Sequence, residues 1–293
     1  MKHAFGHWWL AIRPKTLLAS IGPILLGTGL ASSETSLHLG LFCTTLACAV
    51  LLQISVNLAN DLFDSLSGVD TPQRLGPVRA VQSGLISISA IKVTLSLACS
   101  AAIACGLYLI VVGGWPIVLL GLLSLVGVFA YSAGPWPLAS NALGEVTVLI
   151  FFGWVAVLGS FYLQTGFITP EAFAFATCAG LYSSAIMLVN NIRDISTDQQ
   201  AGKVTLAVVL GDQNARYALA LVISTALIIH LILALTVLPL LWLSFVLLLL
   251  PSGILIRKGF TQHGQALNQL LAQVAQLGFL YCLSVGLLWF IVY

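Results

Sequence analysis

Two polar stretches, Asn57-Leu-Ala-Asn-Asp-Leu-Phe-Asp64 and Asn190-Asn-Ile-Arg-Asp-Ile-Ser-Thr-Asp198, interrupt an otherwise apolar chain. We call them the first and the second acid block. Within each block the carboxylates and amides recur at three and four residues, so that on a helix they project from one face. Carboxylates are costly in an apolar protein unless something cationic joins them. The blocks are therefore the predicted functional centre, and the apolar runs that they interrupt decide the fold.

The bulk composition indicates a polytopic membrane protein. Of the 293 residues, 59% are hydrophobic and only 7% are charged, and the mean hydropathy is +1.06. A soluble domain needs roughly a quarter of its residues charged. With about 20 apolar residues per crossing and no strand period, the sequence predicts one all-α domain, 1–293. Nine transmembrane helices are predicted near 16–32, 39–60, 89–111, 116–133, 143–163, 171–191, 216–236, 239–256 and 270–292.

Glycine and proline mark the tight turns between these spans. Gly113-Gly-Trp-Pro116, Thr165-Gly166 through Pro170, and Val237-Leu-Pro239 each separate two apolar runs. Such breakers favour turns over continued helix. We expect all three turns to lie on one side of the membrane.

The positive charges segregate to the other side. Glu34 and Glu171 are the charges expected on the outer face. The positive-inside rule then places the N-terminus and both long polar loops in the cytoplasm. The cationic residues assigned to the cytoplasmic face are Lys2, Arg13, Lys15, Arg74, Arg79, Lys92, Arg193, Lys203, Arg216, Arg257 and Lys258.

Both blocks then fall at cytoplasmic, carboxyl-terminal helix ends, where carboxylates oppose the helix dipole. One interpretation is that they only solvate those ends. The other is that they bind a divalent cation, because oxygen ligands of this kind suit Mg²⁺, which commonly shares itself with a phosphate. Cations on the same face would complete a binding site for a diphosphate. These cations are Arg13, Lys15, Arg79, Arg193 and Lys203. For Arg13 and Lys15 the alternative is that they only mark the topology ahead of the first span.

The paired motifs Asn60-Asp-Leu-Phe-Asp64 and Asp194-Ile-Ser-Thr-Asp198 resemble those of the UbiA superfamily of intramembrane aromatic prenyltransferases. Further segments are similar to the menaquinone-pathway branch, the 1,4-dihydroxy-2-naphthoate polyprenyltransferases. These segments are Arg13-Pro-Lys-Thr16, Gly68-Val-Asp70, Gly76-Pro-Val-Arg79, Leu143-Gly-Glu145, Gln164-Thr-Gly166 and Ala201-Gly-Lys-Val-Thr-Leu206. The resemblance covers nearly the whole chain and implies a nine-helix bundle with a cytoplasmic-side active site.

The resemblance also implies a reaction. Mg²⁺ bridges the two blocks to the diphosphate of a polyprenyl donor, loss of diphosphate gives an allylic carbocation, and the ring of 1,4-dihydroxy-2-naphthoate attacks it. The carboxylate leaves as CO₂, and the product is demethylmenaquinone. The implied partners are polyprenyl diphosphate, 1,4-dihydroxy-2-naphthoate and the lipid bilayer, and no nucleic acid is expected.

Residue roles follow from the resemblance. The implied metal ligands and catalytic residues are Asp61, Asp64, Asp194 and Asp198, supported by Asn57, Asn60, Asn190 and Asn191. Arg79, Arg193 and Lys203, with Arg13 and Lys15, would hold the diphosphate. Tyr131 and Glu145 would face the naphthoate; alternatively, Tyr131 is an interfacial aromatic anchor and Glu145 a solvated helix start.

Two alternatives to naphthoate prenylation stay open. Gly68 stands where many superfamily members carry a third Asp, which Asp70 could replace, and no basic residue occurs in 132–142. The acceptor therefore rests on family pattern, and 4-hydroxybenzoate prenylation or phytylation is the nearest alternative. A secondary transporter is the alternative from another class, and it would place the acids near the bilayer midplane.

Overall fold

A computed structural model describes residues 2–68 and 75–293, with side chains from Gly6 onward. Asp70 and Arg74 lie outside the described residues, as does the side chain of Lys2. The described chain is a bundle of α-helices: α1 Lys2–Ile12, α2 Pro14–Leu30, α3 Leu39–Leu66, α4 Ile88–Gly113, α5 Trp115–Ala130, α6 Gly144–Val148, α7 Gly159–Thr165, α8 Pro170–Gln200, α9 Leu206–Thr236, α10 Leu241–Thr261 and α11 Leu267–Val292. A π-helix, Leu149–Leu158, joins α6 to α7 into one rod.

The predicted class is confirmed, but the count of nine spans is corrected. Within the described residues, eight helices are long and apolar enough to cross a membrane. The predicted fourth span corresponds to α5, which has 16 residues. At 1.5 Å per residue α5 is about 24 Å long, less than the roughly 30 Å hydrocarbon core. The helix is short because Gly114, with φ 66°, precedes it and a turn follows Ala130.

Local chemistry accounts for the helix boundaries. Side-chain oxygens of Ser87, Thr169 and Thr205 accept hydrogen bonds from the backbone N–H three residues later, and so cap α4, α8 and α9. Gly166, with φ 80°, ends α7. The predicted turns after 113, 165 and 236 are therefore confirmed as helix boundaries.

Two features of the helices differ from the prediction. The helix α1 precedes the predicted first span, and Arg13 separates it from α2 in a left-handed conformation (φ 54°) immediately before Pro14. The predicted seventh span begins ten residues late, because α9 starts at Leu206 and is interrupted at Gly211 (φ 75°, ψ 163°) rather than ended there. Arg216, the first residue of that predicted span, is buried within α9, where it pairs with Asp212 at 2.9 Å.

The main hydrophobic core surrounds α8, whose buried side chains include Phe175, Tyr182 and Leu188. Close backbone contacts bring the π-helix against α8. A Cβ added at Gly153 would lie 2.7 Å from the Gly180 Cα. Small residues at such a contact let two helices pack tightly inside a membrane. Of the candidate membrane spans in the described residues, α8 has the largest buried share, and the second acid block lies at its C-terminal end.

Candidate active site

The carboxylates of the first acid block face the segment that follows it. Asp64 Oδ2 and Arg79 Nη2 form an ion pair at 2.9 Å, and both side chains are buried. The backbone N–H of Ala80 donates to Asp61 Oδ2 at 3.1 Å. Asp61 and Asp64 lie in the last two turns of α3, so their carboxylates fix the position of the Arg79–Ala80 backbone beside the helix end.

The amides of the first block bind the start of α2. Asn57 Nδ2 donates to the Ile12 carbonyl at 2.7 Å and to Thr16 Oγ1 at 2.9 Å. Arg13 Nη1 donates to Asn60 Oδ1 at 3.1 Å. The left-handed backbone at Arg13 thus serves to bring this guanidinium against the block.

Asn60 also reaches the segment after α5, where Nδ2 donates to Ser132 Oγ at 2.9 Å. Lys15, by contrast, is exposed on the first turn of α2. No contact between Lys15 and either block occurs among the described residues, so the structure brings Arg13 but not Lys15 to the site.

The second block is organised around Arg193, which is 4% exposed. Its Nε donates to Asp194 Oδ1 at 2.7 Å, and its Nη2 contacts Asp194 Oδ2 at 2.5 Å, which makes a bidentate pair. Nη2 also donates to Asn190 Oδ1 at 2.8 Å. The aspartate and the amide, both in α8, therefore hold the guanidinium in one orientation.

Glu145 is buried rather than solvated, so the interpretation of a solvated helix start is wrong. Its side chain is 6% exposed, and Asn191 Nδ2 donates to its Oε1 at 2.8 Å. The backbone carbonyl of Glu145 accepts from Ser184 Oγ at 2.7 Å, which fixes α6 to α8. Within the described part of the chain, Glu145 Oε2 is buried without a hydrogen-bond partner. A buried carboxylate oxygen of this kind is available to a ligand donor.

Tyr131 lies just beyond the end of α5, near Asp64 of the first block and near Glu145. Its hydroxyl donates to Met187 Sδ at 3.1 Å. Burial raises the pKa of the Tyr131 hydroxyl well above its ordinary value, and the carboxyl groups of Glu145 and Asp64 raise it further. The Tyr131 hydroxyl is therefore a protonated donor near carboxylates of both halves of the site, which is more than an interfacial anchor provides.

The turn after α8 is attached to the segment after α5. The Lys203 N–H donates to the Asp198 carbonyl at 2.9 Å, and the Val204 N–H donates to the Ser140 carbonyl at 3.0 Å. Asp198 and Lys203 are half-buried. These backbone contacts place both residues at the same end of the bundle as Tyr131.

The sequence pattern did not identify Asn268, another residue of this region. Its amide contacts Arg193 and the carbonyl of Leu75. It is a single amide at the start of α11, without the paired spacing that marks the blocks. Its position at a predicted cytoplasmic helix start was the one signal that could have identified it.

These side-chain contacts bring six helix ends together: the starts of α2, α6 and α11, and the ends of α3, α5 and α8. The described residues contain no group of three or more His, Cys, Asp or Glu side chains able to hold a metal on their own. The carboxylates nonetheless fit Mg²⁺, because this ion is usually bound by one or two carboxylates together with substrate phosphates rather than by a cage of protein ligands.

Comparisons with known proteins identify the family. The profile of the UbiA prenyltransferase family matches residues 20–283. A protein of Escherichia coli (strain K12), named 1,4-dihydroxy-2-naphthoate octaprenyltransferase, is 39% identical over 218 residues, 71% of this chain and 70% of that protein. A protein of the same name from Haemophilus influenzae is 33% identical over 295 residues, 96% of this chain and 95% of that protein.

Solved structures share the fold at lower sequence identity. A UbiA homologue from Archaeoglobus fulgidus bound to DMAPP and Mg²⁺ superposes with a TM-score of 0.72 at 16% identity, covering 98% of this chain and 99% of that chain. The apo structure of a UbiA homologue from Aeropyrum pernix K1 gives 0.73 at 17% identity, covering 93% and 96%.

Proposed function

The chain belongs to the UbiA prenyltransferase family, and from this premise we propose that it transfers a polyprenyl group from polyprenyl diphosphate to 1,4-dihydroxy-2-naphthoate, as one transmembrane domain spanning 1–293. Diphosphate and CO₂ are released, and demethylmenaquinone is formed for menaquinone biosynthesis. Relatives bearing the corresponding name align with up to 96% of the chain. The observation that carries the proposal is the convergence of both acid blocks, two buried arginines and Glu145 at one end of the bundle.

The donor diphosphate would bind between the two blocks. Arg79 and Arg193 are held in place by Asp64 and Asp194, so little side-chain entropy is lost when they bind an anion. Lys203 would supply a further positive charge. The proposed Mg²⁺ ligands are Asp61, Asp64, Asp194 and Asp198, with Asn57, Asn60, Asn190 and Asn191 supporting them. Bound there, Mg²⁺ would neutralise the charge that develops on the departing diphosphate.

The aromatic acceptor would lie against Glu145 and Tyr131. Glu145 Oε2 can accept a hydrogen bond from a ring hydroxyl, and its position is fixed by Asn191. A ring hydroxyl whose proton is drawn toward a carboxylate makes the ring more electron-rich, which favours attack on an allylic carbocation. The apolar helices around the site would exclude water from that cation.

We propose that this end of the bundle and the N-terminus face the cytoplasm of a bacterial inner membrane. The distribution of Lys and Arg supports it. Cysteines introduced singly at Lys15 and Glu171, in a variant without native cysteines, should react with a membrane-impermeant thiol reagent from opposite sides. Labelling of Lys15→Cys from outside intact cells would reverse the orientation.

The function is tested with purified protein, Mg²⁺, octaprenyl diphosphate and either 1,4-dihydroxy-2-naphthoate or 4-hydroxybenzoate. We expect CO₂ and a prenylated naphthoquinol in the first mixture. Formation of a prenylated 4-hydroxybenzoate without CO₂ would support the nearest alternative instead, and product from phytyl diphosphate alone would indicate phytylation. Asp61, Asp64, Asp194 and Asp198 lie in the last two turns of their helices, which disfavours the midplane ion site of a transporter.

A further inference from the structure

Asn268 connects two parts of the proposed diphosphate site that are far apart in sequence. It is the second residue of α11 and is half-buried. Arg193 Nη1 donates to its Oδ1 at 2.7 Å, and its Nδ2 donates to the backbone carbonyl of Leu75 at 3.0 Å. The amide therefore accepts from one partner and donates to the other.

The contact with Arg193 differs from the other contacts of that guanidinium. Asp194 and Asn190 hold Nε and Nη2 from within α8 itself. Asn268 holds Nη1 from another helix. The orientation of the guanidinium therefore depends on how α11 packs against α8.

The contact with Leu75 reaches the first half of the site. Leu75 precedes Arg79 by four residues, and Arg79 pairs with Asp64 of the first block. One side chain thus bridges from the arginine of the second block to the segment that carries the arginine of the first. A shift of either partner changes the position available to the other.

We propose that Asn268 is a positioning residue for the donor diphosphate: it sets Arg193 and the segment from Leu75 to Arg79 at the separation at which both arginines contact one diphosphate group. This inference rests on the proposed function. An amide is required, because a carboxylate cannot donate to the Leu75 carbonyl and an aliphatic side chain can neither accept nor donate.

The expected effect is a selective loss of donor binding. A hydrogen bond to a charged group is worth roughly a tenfold to hundredfold change in an equilibrium constant. Asn268→Ala should therefore raise the KM for polyprenyl diphosphate at least about tenfold and leave the KM for the naphthoate unchanged. Asn268→Asp, which keeps the acceptor for Arg193 but loses the donor for Leu75, should also raise the donor KM.

The experiment measures both KM values and the inhibition constant of inorganic diphosphate for the wild type and the variants in detergent, with thermal melting to show that each is folded. Gln269→Ala, an exposed neighbouring amide on α11, is the matched control and should behave as wild type. In an Arg193→Ala background, Asn268→Ala should add little, because residues acting through one another are not additive.

The outcomes separate this inference from the proposed function. Wild-type values for donor KM and diphosphate inhibition in both folded Asn268 variants would overturn the positioning role while leaving the function intact. An equal rise in both KM values would make Asn268 a residue of general structural importance and would also overturn it. Absence of diphosphate inhibition and of turnover in the wild type would refute the function and this inference with it.

Discussion

Replacing Asp194 with asparagine should abolish most turnover while leaving the bundle folded. The carboxylate accepts two hydrogen bonds from Arg193 in a buried environment. Asparagine keeps an acceptor for Nε but brings an N–H toward Nη2, so the stability cost is about one charge-assisted hydrogen bond, ~1.5–3 kcal/mol. Asparagine and alanine both remove the counter-charge, but alanine also removes both hydrogen-bond acceptors, at about 3–5 kcal/mol, and would confuse folding with catalysis.

The catalytic loss should be larger than the stability loss implies. Removing one preorganised group that stabilises developing charge costs ~2.7–4 kcal/mol, which is a hundredfold to thousandfold decrease in kcat. Turnover is followed as prenylated naphthoquinol, and folding by thermal melting in detergent. Glu171→Gln, an exposed carboxylate in the first turn of the same helix, is the matched control. A folded Asp194→Asn protein that retains more than about a tenth of wild-type turnover would refute the assignment of Asp194 to the diphosphate site.

Three further perturbations test other parts of the site and the bundle. Glu145→Gln should raise the KM for the naphthoate about tenfold, because it weakens one hydrogen bond to a charged acceptor, and should leave the KM for the donor unchanged. Equal changes of both KM values in steady-state kinetics would contradict the assignment of Glu145 to the acceptor. Chelation by EDTA should stop turnover reversibly and change the melting midpoint little, because arginines already pair with two of the aspartates. Unfolding of the protein on chelation would contradict this expectation. Gly153→Val should destabilise the fold by about 1–3 kcal/mol through overpacking, because its Cβ would lie 2.7 Å from the Gly180 Cα. Gly121→Val is the control and should not destabilise the fold, since a Cβ at Gly121 meets nothing within 4 Å. An equal fall of the melting midpoint in both variants would contradict the close contact of Gly153 with α8.

The positions of the acid blocks could be predicted because polar residues in an apolar chain are costly and therefore informative. Their helical spacing is confirmed in α3 and α8, and the paired blocks converge at one end of the bundle. The burial of Glu145 could not be predicted, because it results from the packing of α6 against Asn191 and Ser184 of α8. Sequence spacing along one helix carries no information about such a contact between helices.

The departures from regular α-helix could not be predicted from the sequence either. The π-helix at 149–158 accompanies the close approach of Gly153 to α8, and that approach depends on a glycine 27 residues away. Pro14 disfavours helical backbone at Arg13 and so interrupts the helix there, but the contact of the Arg13 guanidinium with Asn60 is a tertiary contact. Asn268 is the clearest example, because a single amide without a repeated spacing cannot be recognised as functional before its contacts in the folded structure are known.

The pairing of arginines with aspartates has a consequence for how the donor reaches the protein. The proposed site contains five carboxylates and four cationic side chains, Arg13, Arg79, Arg193 and Lys203, so that before Mg²⁺ binds the charges nearly cancel and one negative charge is left over. Before Mg²⁺ binds, such a site exerts no long-range attraction on an anion dissolved in water. Capture would then depend on lateral diffusion of the lipid-anchored donor within the membrane plane, and the association rate should respond only weakly to ionic strength.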